Sequence, residues 1–290
     1  MKLSHNRAIF LMVLTALMWS TAGAVSRQLE SARSFEVTFW RSTFTAISLL
    51  VILPLFQGRQ VFEKIRRGPA ALWVSGICWS VMFTAFMVAL TLTSVATVLV
   101  TMSLGPLLTA LLARLFIGHH IARHTWVAIG LAGGGVVYMY GAQMSELSLM
   151  GTLVTLCVPL AGAVNWTINQ RFHAQGQGVD LIPAVLVGAL ISVGITLPLA
   201  FPFQATAHDV GLLAFLGLFQ LAIPCALSVL CARVLKAPEM SLLALLEVIF
   251  GILLAWLWAN EVPRDSVLIG GAVVIGALVA NELIGWRMRS

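Results

Sequence analysis

The chain has 290 residues, 60% of them apolar and 10% charged, with a net charge of +6. A typical soluble domain is about 45–50% apolar and about 25% charged, and a mean hydropathy of +0.98 in a globule of this size leaves too much apolar surface facing water. A soluble domain is therefore excluded and lipid is the solvent for much of the surface. The basic residues fall at the ends of apolar runs rather than along one face, which argues against a nucleic-acid partner.

A spanning helix needs about 20 predominantly apolar residues. Ten such stretches are predicted in chain order, at 8–27, 35–56, 69–90, 94–117, 124–142, 149–171, 180–202, 210–233, 238–259 and 265–286. The links between them are short. The longest polar one, QGRQVFEKIRRG, runs from Gln57 to Gly68 and leaves no room for a separate soluble domain. In the first stretch Lys2 and Arg7 precede Ala22-Gly23-Ala24, a pattern like a signal-peptidase site. It is read as a retained helix, because its removal would break the repeat described next.

Lysine and arginine set the orientation. With a cytoplasmic N-terminus, Arg27, Arg33, Arg41 and Arg264 lie on the outer side and the other thirteen basic residues lie inside. The expectation is a multi-pass protein of the cell inner membrane with both termini cytoplasmic. Arg41 and Arg114 are expected to snorkel to the headgroups. Trp40, Trp73, Trp126, Trp256, Trp258 and Trp286 sit near predicted helix ends and read as interface anchors.

An internal repeat runs through the chain. Ala22-Gly23-Ala24-Val25-Ser26 reappears as Ala161-Gly162-Ala163-Val164-Asn165, at an offset of 139 residues. Further on, 103–120 lies over 245–262 at an offset of 142, with Leu104, Leu111, Leu112, Ala113 and Leu115 matching Leu246, Leu253, Leu254, Ala255 and Leu257. The near-constant offset predicts a first five-helix repeat over 1–143 and a second over 148–290. Five is odd, so the second half enters the membrane inverted. Secondary transporters are built this way, with the site at the midplane between the halves.

Several local motifs then resemble a known family. They are Leu17-Met18-Trp19-Ser20-Thr21, Trp40-Arg41, Ser103-Leu104-Gly105-Pro106-Leu107, Leu115-Phe116-Ile117-Gly118, Leu246-Glu247-Val248 and Asn260-Glu261. Together they resemble the drug/metabolite transporter superfamily, in its ten-helix branch, and most of all the amino acid exporters, including those for aromatic amino acids. The resemblance implies an all-α membrane domain of two inverted five-helix repeats around a central cavity. Two positions depart from the family pattern: His119 stands where the first repeat usually carries glutamate, and Val248 where proline often follows the helix-nine glutamate.

Glu247 is the acid that the sequence places deepest. It lies nine residues into its predicted helix, or roughly 14 Å at about 1.5 Å per residue, near the middle of a hydrocarbon core about 30 Å thick. An ionisable group at that depth is a functional-site hypothesis by default. Its counterpart in the first repeat is Gly105, beside Pro106, and this pair is expected to kink the fourth helix as a hinge. Trp79 and Gln220 fall near the same level, with Phe83 one turn beyond Trp79, and together with Trp19, Ser20, Asn165, Trp166 and Ser103 they are expected to line a substrate cavity with Glu247.

The expected function is a carrier that exports small metabolites, most of all amino acids with aromatic or apolar side chains, by alternating access. A broad-specificity drug efflux carrier is the alternative. An intramembrane enzyme lacks a pair of midplane acids or a midplane histidine, and a channel lacks a ring of charge. No cofactor or metal is expected: Cys78, Cys157, Cys225 and Cys231 read as small apolar packing residues, and His119-His120 and His124 lie in a short link without nearby acids. The expected partners are a small-molecule substrate and the bilayer, and the chain is expected to act as a monomer.

Overall fold

The computed structural model describes residues 4–32, 34–117, 122–141, 149–174, 182–232, 234–235 and 243–287. In chain order the helices are α1 (His5–Ser26), α2 (Ser34–Gln57), the short α3 (Gln60–Arg66), α4 (Ala70–Leu92), α5 (Val95–Met102), α6 (Gly105–Ile117), α7 (Arg123–Gly141), α8 (Leu149–Ala174), α9 (Ile182–Ala200) and α10 (Ala207–Phe215). A π-helical segment, Leu216–Ala222, leads into α11 (Ile223–Ala232), followed by α12 (Leu246–Ala259) and α13 (Asp265–Arg287). There is no strand among the described residues.

Among the described residues seven helical stretches are long and apolar enough to cross a membrane: His5–Ser26, Phe35–Gln57, Ala70–Leu92, Val95–Phe116, Ile182–Ala200, Ala207–Ser228 and Asp265–Gly285. Met150–Asn165 and Leu246–Ala259 are shorter apolar helices. An all-helical bundle of this kind is an integral membrane protein, because only helices and closed barrels satisfy every backbone polar group in lipid.

The predicted fourth stretch is one span, Val95–Phe116, with a turn inside it. It breaks at Ser103-Leu104, so that α5 and α6 are separate, and Gly105 is the first residue of α6. Proline is accommodated in a first turn, where its missing N–H has no intrahelical partner to lose. The predicted ninth stretch departs from expectation in a related way. A turn at Leu245 precedes α12, so Glu247 stands in the first turn of a helix rather than in the middle of one.

Packing is tight where glycine permits it. α4 runs along α8 and α9, α2 along α9 and the π segment, α1 along α11 and α12, and α7 along α13. α5 and α6 both touch α8, and α5 also meets α12. At Gly217 an added Cβ would lie 2.8 Å from the Arg41 carbonyl oxygen and 2.9 Å from the Thr45 nitrogen, so α2 approaches the π segment backbone to backbone. Gly76 plays the same part where α4 meets Val187 of α9.

One end of the bundle is tied by a polar knot. Asn260 adopts a left-handed conformation, φ 52°, which asparagine tolerates better than most residues, and the Glu261 N–H returns to the Ala255 carbonyl at 3.1 Å. The Glu261 carboxylate then accepts from Arg27 Nε at 2.6 Å and from the Val95 N–H at 2.7 Å. Arg27 also donates to the carbonyls of Leu90 and Thr93, at 2.6 and 2.8 Å. The ends of α1, α4, α5 and α12 are thereby joined.

Candidate substrate-binding site

The π segment exists where an extra residue has widened the helix turn, a distortion frequent at functional sites. Here it carries Gln220, which is 3% exposed. The Gln220 amide nitrogen donates to the Trp19 carbonyl at 3.3 Å, and its oxygen accepts from Arg41 at 3.3 Å. One amide therefore links α1, α2 and the π segment.

Arg41 overturns the expectation that it snorkels. It is 1% exposed, and its guanidinium carbon lies 5.7 Å from the Phe83 ring centroid and 5.6 Å from that of Phe86. These distances fit cation–π contact. The reason is packing: the close approach at Gly217 holds this part of α2 inside the bundle, against the π segment and α4. Arg114, by contrast, is exposed, with its guanidinium 6.0 Å from the Trp126 ring.

Around this core the sequence-predicted residues divide. Trp79 and Phe83 pack as a tilted pair with centroids 5.5 Å apart, and Trp19 packs against the same apolar cluster, which includes Cys225. Cys225 is buried in this cluster, and Glu247 stands in the first turn of α12, which packs along α1. Trp19, Trp79 and Phe83 thus share one apolar cluster, and Gln220 bonds to the Trp19 carbonyl beside it. Glu247 is half-buried, and no ion pair joins it to Arg41 among the described residues.

The remaining predicted residues are satisfied elsewhere. The Ser20 hydroxyl donates to the Leu17 carbonyl and that of Ser103 to the Val100 carbonyl, each within its own helical turn. Asn165 is 1% exposed and accepts from Ser75 at 2.6 Å, tying α8 to α4. Trp166 belongs to α8, but its side chain lies outside the described residues, as do His119 and His120. Of the terminal tryptophans, Trp73, Trp126, Trp256 and Trp258 are exposed. Trp40 departs from its anchor reading: it packs among Phe39, Phe44 and Phe203, and its indole nitrogen is buried.

Sequence reasoning missed several participants. Arg41 and Phe86 complete the centre. A hydroxyl chain beside Arg41 also went unseen: Ser42 donates to Ser192 at 3.1 Å and Ser192 meets Thr84 at 3.0 Å, joining α2, α9 and α4. Glu36 and Asp209 are fully buried too. Their carboxylates serve the chain itself, accepting backbone N–H bonds from Gln204 and Ala205, and from Glu30, Ser31 and Ala32. The two cavities described among these residues lie away from the Arg41 centre. One is lined by residues around Lys64, Arg67 and Leu72, the other by residues around Arg27, Val37 and Met87.

Comparison with known proteins points the same way as this architecture. Residues 6–141 match the model of the EamA-like transporter family. The chain is 25% identical over 192 residues to an uncharacterized transporter, YdfC, of Bacillus subtilis (strain 168); the match covers 65% of this chain and 62% of that protein, less than two thirds of the relative's length. It is 25% identical over 270 residues to an S-adenosylmethionine uptake transporter of Rickettsia conorii (strain ATCC VR-613 / Malish 7), covering 90% of this chain and 88% of the relative. A protein of the same description from Rickettsia felis (strain ATCC VR-1525 / URRWXCal2) is 25% identical over 272 residues, or 91% and 88%. One crystal structure of a protein superposes on 99% of this chain and 100% of its own, with a TM-score of 0.66 and 19% identity, and speaks for the fold alone. By these likenesses the chain is similar to transporters.

Proposed function

We propose that this chain is a secondary transporter that exports small metabolites, amino acids with aromatic or apolar side chains first among them, across the cell inner membrane by alternating access. Its ten helical stretches act as two inverted halves, 1–143 and 148–290, around the Arg41–Gln220–Trp19–Glu247 region. Both termini are cytoplasmic and the Arg27–Glu261 knot faces outward. The chain works as a monomer, and its route is lined by Trp79 and Phe83, with Gly105 and Pro106 at a hinge.

The observation that carries this reading is a pair of corresponding helix breaks. The turn before α6, at Leu104, and the turn before α12, at Leu245, fall at equivalent places in a repeat offset by about 142 residues. Discontinuous helices at matched positions in two halves are the best local pointer to a carrier's binding site. The packing supports the same two-fold relation. Exchanging each predicted stretch for its partner five places on converts the α4–α9 contact into the contact of α2 with the π segment. It likewise converts α4–α8 into α1–α11, and returns α7–α13 to itself. Gly76 and Gly217, each a glycine at a close helix approach, are 141 residues apart.

A second reading, uptake of S-adenosylmethionine or a similar solute, is favoured by the names of the relatives. Amino acids and S-adenosylmethionine share an α-amino carboxylate, so the two readings agree on the polar group and differ in direction and in the body of the substrate. Counterflow in proteoliposomes separates them. Saturable exchange of labelled amino acids supports the first reading, exchange of S-adenosylmethionine alone supports the second, and unit electrical conductance without counterflow marks a channel and defeats both.

A further inference from the structure

Among the described residues no anion pairs with Arg41. Its guanidinium carries five N–H donors, yet the described residues give it one hydrogen bond, to Gln220 at 3.3 Å, and its Nε is buried without a partner. No carboxylate stands within ion-pair distance among the described residues. A buried, incompletely paired guanidinium is costly, and Phe83 and Phe86 offset that only in part. Each of the two fully buried acids of the described chain, Glu36 and Asp209, is turned to backbone amides instead.

We propose that Arg41 is the substrate's carboxylate anchor: the planar fork receives the carboxylate of an amino-acid-bearing solute, with Gln220 holding the fork in place. This rests on the carrier reading above. Three features make the fit specific. An arginine fork matches a carboxylate bidentately, which a lysine cannot do. Phe83 continues from Arg41 into Trp79, so an apolar or aromatic side chain attached to that carboxylate has rings to lie against. Glu247 stands in the first turn of α12, which packs along α1, the helix whose Trp19 carbonyl accepts from Gln220, and it offers a carboxyl group on that side for the substrate's ammonium group. Arg41 binds; Gln220 is a positioning residue that acts through it.

The test compares acids with their amides in counterflow competition, using L-phenylalanine, L-leucine and S-adenosylmethionine as labelled probes and L-phenylalaninamide and L-leucinamide as competitors. In the unaltered chain the acid should outcompete its amide by about a hundredfold or more, the scale for a site left with an unpaired buried partner. In Arg41→Gln that preference should collapse to within about threefold, because protein and substrate lose the same contact. Arg41→Lys should keep part of it. A folded Arg41→Gln protein that still prefers the acid by the original factor overturns the proposal. If neither variant folds, phenylglyoxal modification of Arg41 in the unaltered chain, read by mass spectrometry, decides. Protection by the acid and none by the amide supports the anchor; equal protection overturns it. Counterflow of amines or amides alone would leave a carrier standing and defeat the anchor. No counterflow of any probe would defeat the carrier reading as well.

Discussion

Glu261→Gln tests whether the knot at the Arg27 end holds that end shut. The carboxylate accepts one bond from Arg27 and one from the Val95 N–H. Glutamine offers a single carbonyl oxygen, and its amide nitrogen must face one of the two donors, so at least one bond is lost. A hydrogen bond to a charged group contributes about 1.5–3 kcal/mol. The side chains of Arg27 and Glu261 are 30% and 20% exposed, which places the loss near the lower limit of that range. About 1.4 kcal/mol is a factor of ten in an equilibrium, so the population open at this end should rise roughly tenfold. Met87 is fully buried and lines the small cavity there, so Met87→Cys reports opening. In intact cells a membrane-impermeant maleimide, with labelling resolved by mass spectrometry from the native cysteines, should modify that position about ten times faster when Glu261→Gln is added. An unchanged rate at equal expression would refute the latch, and faster labelling only in inverted vesicles would refute the orientation.

Other substitutions probe the packing that positions the site. Gly217→Ala places a methyl group against the backbone of Arg41 and Thr45, neither of which can yield, and overpacking of this kind costs about 1–3 kcal/mol. Thermal melting in detergent should show the loss, whereas Gly211→Ala, which meets open space, should melt like the unaltered chain. Asn165→Ala strands the Ser75 hydroxyl, which now donates to it, at a cost of about 1–3 kcal/mol. The melting temperature should fall while the acid-over-amide preference in counterflow stays fixed. Gly105→Ala adds a Cβ with nothing within 4 Å, so melting should be unaffected. A slower counterflow rate at unchanged affinity would be the signature of a hinge at the α5–α6 break.

Hydropathy made the helices legible because each apolar run must find lipid or protein: among the described residues seven stretches are long and apolar enough to cross a membrane, and Met150–Asn165 and Leu246–Ala259 are shorter apolar helices. The centre was legible in part. Trp19, Trp79, Phe83 and Gln220 stood out as aromatic or amide groups deep in apolar runs. Glu247 was found by its isolation, but its place in a first turn was not, since the run from Ser241 to Trp256 carries no breaker other than Gly251. Arg41 was misread for a different reason. An arginine near one end of a predicted span can reach water if it faces lipid, and which way it faces is fixed by the glycine contact at Gly217, far away in sequence. Ser20 and Ser103 each bond to a carbonyl of their own preceding turn, a contact that no spacing reveals.

The most direct test of a midplane carrier site is counterflow by the purified Glu247→Gln protein in proteoliposomes across a range of pH, beside the unaltered chain. The variant should insert and fold equally well and should differ in substrate affinity or in the pH dependence of exchange, because the carboxylate either meets the substrate's ammonium group or carries a coupled proton. Exchange that matches the unaltered chain in rate and affinity at every pH would remove Glu247 from the mechanism and contradict the account.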